Sequence, residues 1–160
     1  MTAGSLLDNA DNKQIPSPRH KAMDLLARRE HSVAELRTKL RVREYPEADI
    51  ELAIESLVRD SLLSDDRFAA AFVSSRVRKG QGPVRIRGEL RQRGVADHLI
   101  EAHLAAADVD WLALAREVRN RKFGSESAAD FREQARQSRF LQHRGFSSEQ
   151  IRAAMGDPEY

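Results

Sequence analysis

The chain has 160 residues, enough for one domain or a short repeat array, with 41% hydrophobic and 32% charged residues. Cysteine is absent, which excludes disulfide frameworks, thiolate metal sites and thiol catalysis. The net charge of +2 conceals a bias, because 22 of the 27 basic residues are arginine, whose planar guanidinium pairs bidentately with carboxylate or phosphate.

Residues 1–18 lack periodicity and carry Asp, Asn, Ser and two prolines, which predicts a disordered tail. Leu6-Leu7 is the one apolar pair before Met23, so neither a signal peptide nor a membrane span is expected, and a cytoplasmic protein is. Repeat 1 is expected over 19–63. It opens with a helix near 20–30, broken at His31-Ser32, where Ser32 and Glu35 suggest a capping box for the next helix. Leu40 then leads through Arg43-Glu44-Tyr45, with Pro46 suited to N1 of a third helix carrying Ile50 and Ile54.

Repeat 2 is expected over 64–108. Ser64 caps a helix with Asp65 and Asp66 in its first turn and Phe68, Phe72, Val73 and Val77 as its apolar stripe. Gly80-Gln81-Gly82-Pro83 stops it. Leu90, Arg93, Gly94, Val95, Ile100 and Leu104 then fall at the offsets already seen after Leu40. Repeat 3, over 109–155, starts at Asp110 with Trp111, Leu114, Ala115 and Val118, and shows the series again as Leu141, Arg144, Gly145, Phe146, Ile151 and Met155. Residues 156–160 form a short tail. Even spacing of one pattern in three places marks a repeat architecture. Gly94 and Gly145 suit a left-handed residue ending a helix; Glu44 predicts a strained or differently shaped turn in repeat 1. The predicted fold is all-α: a tandem array of three three-helix repeats, elongated, curved and solenoid-like.

Catalytic and metal signatures are missing. The five histidines (His20, His31, His98, His103, His143) have no ligand spacing, and Asp65-Asp66 are adjacent on a helix and so face no common pocket. No phosphate-loop, dinucleotide or nucleophile-elbow motif occurs, so no enzyme, cofactor or metal is expected. The informative stretch is Arg76–Arg93, with seven cations against Glu89 alone: a net +6 that leaves −4 for the rest of the chain. Arg78, Lys79, Arg85, Arg87, Arg91 and Arg93 are the candidate partner- or DNA-binding residues. On a helical projection Ile86 and Leu90 share the buried face, Arg87 and Arg91 flank it, and Arg85 points outward. Arg76, four residues after Phe72, falls on the buried side. Gly80 and Gly82 leave room for a backbone contact with phosphate. Aromatic interleaving for single-strand stacking is missing from this stretch.

Leu62-Leu63-Ser64-Asp65-Asp66-Arg67-Phe68-Ala69, Ser75-Arg76, Gly80-Gln81-Gly82-Pro83, Arg85-Ile86, Glu89-Leu90 and Arg93-Gly94 together resemble the RecX family of regulatory proteins. Leu26-Ala27-Arg28-Arg29-Glu30-His31-Ser32 and Glu35-Leu36 through Lys39-Leu40 extend the resemblance to repeat 1, and it covers about residues 20–155. It implies tandem three-helix repeats with no catalytic residues. It also implies a cytoplasmic monomer that binds RecA–single-stranded DNA filaments and suppresses ATP hydrolysis, strand exchange and coprotease activity, and with them DNA repair and the SOS response. Phe68, Phe72, Gly80, Gly82, Ile86, Leu90 and Gly94 would then be structural residues of the motif. The alternative class is a helix-turn-helix module that binds DNA directly; weak DNA contact is compatible with both.

Overall fold

The computed structural model describes residues 14–156, and among these the secondary structure is nine α-helices and no strand. They are α1 (Pro18–Arg28), α2 (Val33–Val42), α3 (Glu47–Arg59), α4 (Asp65–Arg78), α5 (Pro83–Gln92), α6 (Asp97–Ala106), α7 (Trp111–Phe123), α8 (Phe131–His143) and α9 (Ser148–Ala154). They pack in threes, each with its two nearest companions in sequence. Most of the two expected tails lies outside the described residues. Ser17, however, caps α1 by accepting from the His20 N–H, and the Tyr45 hydroxyl donates to the Pro16 carbonyl at 2.6 Å. Among the described residues no helix is long and apolar enough to cross a membrane.

Each unit closes over its own apolar cluster, and the anchors repeat. Leu36, Leu40, Ile50 and Leu57 fill the first; Phe68, Val73, Ile86, Leu90 and Ile100 the second; Ala115, Leu141 and Phe146 the third. The third cluster is poorer. Arg119 occupies a buried place in it, donating to Gln137 Oε1 at 2.9 Å and to the Glu126 carbonyl at 2.6 Å. A guanidinium survives burial there because its hydrogen bonds are made.

Local signals set most helix ends. Ser32, Ser64, Asp110, Asp130 and Ser147 all cap with their side chains, and Ser147 completes a capping box with Gln150. Ser32 and Glu35 form half of the expected box, because the Glu35 carboxylate is drawn instead to Arg29 at 2.9 Å. Pro46 is the residue before α3 rather than its first. The turn at Glu44 is not re-shaped but strained, one of the two expected outcomes: φ is +62°, the same left-handed conformation as Gly94 at +76° and Gly145 at +96°, which costs a non-glycine residue roughly 1–2 kcal/mol.

Close approach by a neighbouring unit explains why glutamate suffices at one turn and glycine stands at the other two. A Cβ on Gly94 would come within 2.6 Å of the Ala34 Cβ, and one on Gly145 within 2.8 Å of the Arg85 backbone nitrogen. Both turns receive the second helix of the preceding unit. Among the described residues no helix docks on the Glu44 turn, and Glu44 is exposed. Among the described residues no hydrogen bond or ion pair joins the first unit to the third.

Candidate partner-binding face

The face grows from the end of α4, where Phe68, Phe72 and Arg76 follow at one-turn spacing. Phe68 is buried and Phe72 is half-exposed, its ring 5.7 Å from that of Phe68. The Arg76 and Arg93 guanidiniums lie over the Phe72 ring, at 4.5 Å and 4.8 Å from its centroid. This arrangement orders two flexible cations on a hydrophobic surface. The groove beside them, about 420 Å³, is lined by Arg29, Glu30, Phe72, Arg76, Lys79 and Arg93.

Four of the six sequence-predicted binding residues already have carboxylate partners inside the fold. Arg85 reaches Glu89 at 3.1 Å, Arg87 grips Glu101 through two bonds of 2.6 Å and 3.3 Å, Arg91 meets Asp97 at 2.9 Å, and Arg93 approaches Glu35 at 3.6 Å. The Arg87 hydrogen bonds hold the Glu101 carboxyl below the ordinary carboxylate range and raise Arg87 in turn. Three acids from α2 and α6, Glu35, Asp97 and Glu101, thus offset about half of the +6 stretch, which a linear charge count cannot see. Arg85 does not point outward either. It is half-buried against Gly145, with its Nη1 toward the His143 carbonyl at 3.4 Å, because a helical projection of α5 alone omits the following unit.

Arg78 and Lys79 differ. Both are exposed at the end of α4, Arg78 donates only to Ser74 Oγ at 3.1 Å, and neither forms an ion pair among the described residues. The phosphate role expected of Gly80 and Gly82 is overturned. Their amides are spent on the Val77 and Arg144 carbonyls at 2.9 Å and 2.8 Å, and both glycines are buried. Gly80, at φ +76°, instead leaves space for Val118.

Sequence reasoning missed the continuation into the third unit. Arg144 Nη1 donates to the Lys79 carbonyl at 3.2 Å, while its guanidinium lies 5.3 Å from the Phe140 ring centroid. Lys122 Nζ lies 5.8 Å from the same ring, and Phe123 meets Phe140 edge-on at 5.2 Å. Aromatic residues are therefore interleaved with cations in space although they are not in the basic stretch itself. The available signal was the recurrence of Arg29, Arg76 and Lys122 at matching places near the end of each first helix. No cluster of three or more metal-ligating side chains occurs among the described residues.

Three family models match the chain in order: the first three-helix domain of RecX over residues 19–57, the second over 64–104 and the third over 108–155. A protein named regulatory protein RecX from Halorhodospira halophila is 54% identical over 136 residues, covering 85% of this chain and 84% of its own length. One of the same name from Pseudomonas syringae pv. tomato is 49% identical over 133 residues, with coverages of 83% and 86%. The crystal structure of RecX from Lactobacillus salivarius shares the fold, with a TM-score of 0.71 at 21% identity over 86% of this chain and 92% of that one.

Proposed function

The chain belongs to the RecX family of regulatory proteins, and on that premise we propose that it binds RecA–single-stranded DNA filaments and inhibits ATP hydrolysis, strand exchange and coprotease activity. It acts as a binding protein and not as an enzyme, working as a monomer in the cytoplasm to restrain recombinational repair and the SOS response. The observation that carries the reading is the face just described. Arg78 and Lys79 are exposed without acidic partners among the described residues, and Lys79 adjoins Arg144 through its carbonyl. Lys79 lines the groove with Arg29, Arg76 and Arg93, and its carbonyl accepts from Arg144, which with Lys122 lies near the Phe140 ring.

An array suits this task better than a compact domain. Linked contacts on several protomers raise effective concentration, so one chain can bridge neighbouring recombinase subunits. Four of the arginines are engaged internally, so the same face binds bare phosphate less strongly than its sequence charge suggests. The test is binding to recombinase filaments and to bare single-stranded DNA as salt is raised to physiological strength. The reading expects bare-DNA binding to vanish while filament binding persists. Equal salt loss on both would favour the helix-turn-helix alternative.

A further inference from the structure

The two junctions of the array share a topology and differ in chemistry. At each, the start of a second helix docks on the turn between the second and third helices of the following unit. Ser32–Glu35 meets Arg93-Gly94, and Gly82–Arg85 meets Arg144-Gly145. The later junction is closed by backbone and apolar contact. The Gly82 N–H donates to the Arg144 carbonyl at 2.8 Å and the Val84 N–H to the Gly145 carbonyl at 3.0 Å. Trp111, from the third unit, packs against the second unit's core. Where the earlier junction pairs Glu35 with Arg93, the matching residues here are Arg85 and Arg144, both cations, so no ion pair replaces it.

The earlier junction has no backbone–backbone hydrogen bond among the described residues, and the first two core clusters share no residue. Side chains hold it. Asp65 Oδ1 accepts from the Val33 N–H at 2.8 Å, Ser32 Oγ donates to the Arg93 carbonyl at 2.7 Å, Glu30 pairs with Arg67 at 3.1 Å, and Glu35 faces Arg93 at 3.6 Å. Open space flanks it on two sides. One is the 420 Å³ groove; the other, about 350 Å³, is lined by Val33, Val58, Ser61, Leu63, Asp65 and Arg67. The close approach of Ala34 to Gly94 is the pivot between them.

We infer that the array bends at this one place: units two and three move as a single body, and unit one swings on a latch made by the Glu30–Arg67 and Glu35–Arg93 ion pairs and by the Asp65 carboxylate on the Val33 N–H. The swing changes the width of the groove that carries Arg29, Arg76, Lys79 and Arg93. In its use the hinge rests on the filament reading, because it adjusts the fit of the same basic face. The latch is sensitive to salt, since the screening length falls from about 10 Å at ~0.1 M to about 3 Å at ~1 M, whereas buried backbone bonds are indifferent.

The absence of native cysteine allows paired spin labels on the full chain. Glu55→Cys with Ala102→Cys spans the earlier junction, and Ala102→Cys with Glu149→Cys spans the later one; all three positions are exposed. Raising salt from about 0.05 M to about 1 M should widen the first distance distribution and leave the second unchanged, with the open population rising about tenfold as the pairs are screened. Glu35→Gln with Asp65→Asn should widen the first at low salt, and the salt series on the otherwise native chain stands even if that variant fails to fold. A first distance indifferent to salt, or a second that widens as much, overturns the hinge. Recombinase inhibition is measured separately. Fixed distances with intact inhibition remove the hinge alone, and a salt-sensitive first distance without inhibition removes the filament reading alone.

Discussion

Gly145→Ala should cost far more than the conformation of the residue alone explains. At φ +96° an L-residue pays roughly 1–2 kcal/mol for the left-handed backbone. The added Cβ also comes within 2.8 Å of the Arg85 backbone nitrogen, which no side-chain rotation can relieve. The turn must then withdraw from α5, straining the bonds from Gly82 N–H to the Arg144 carbonyl and from Val84 N–H to the Gly145 carbonyl, each worth about 0.5–1.5 kcal/mol net. The total is about 2–5 kcal/mol. Glu44 provides the control, because its turn has the same left-handed geometry and is exposed, with no helix docked on it among the described residues. Glu44→Gly should be neutral or stabilising by up to about 1 kcal/mol. Urea unfolding followed by circular dichroism measures both. A Gly145→Ala cost no greater than the backbone penalty, or a destabilising Glu44→Gly, would refute the argument that packing between units selects glycine.

Phe68→Ala should cost about 3–5 kcal/mol, measured by the same unfolding assay, because it empties the second core. Replacing Arg85, Arg87 and Arg91 together with Ala should cost about 1–2 kcal/mol while helicity persists, since three partly exposed ion pairs disappear; a variant with unchanged stability would show those pairs to be energetically idle. His31 is buried, with Nε2 accepting from Lys39 Nζ at 2.9 Å and Nδ1–H donating to the Arg29 carbonyl at 3.1 Å, and burial pushes its pKa below the ordinary 6.5. The unfolded chain therefore takes up this proton first. Its share of stability is full above about pH 6.5 and declines as pH falls from there toward the folded-state pKa. Urea midpoints between about pH 7.5 and 5 should show the slope, and His31→Gln should flatten it.

The fold was legible because its anchors are local. The leucine, turn and isoleucine positions recur at a fixed offset, and serine or aspartate caps precede most helices, so one chain period discloses three units. The strain at Glu44 could be read from the turn, but why glycine stands at Gly94 and Gly145 could not, because that reason lies in the neighbouring unit. The binding face was harder to read for the same reason. Glu35, Asp97 and Glu101 lie on other helices than the arginines they neutralise, outside the basic stretch, and Phe140 and Lys122 join the face only through packing. Asp65 and Asp66 looked like ordinary helix-start carboxylates. One holds the Val33 amide of another unit and the other meets His103 at 2.8 Å, roles that depend on tertiary placement.

The most direct test of the account is recombinase ATP hydrolysis on single-stranded DNA, titrated with the full chain and with an Arg78→Ala, Lys79→Ala variant. The native chain should inhibit well below one molecule per recombinase subunit, since a bridging array covers several protomers. The variant, which removes cations that have no ion pair among the described residues, should need several-fold more protein at unchanged thermal stability. Absence of inhibition at any ratio contradicts the function, and equal inhibition by the variant contradicts the face assigned to it.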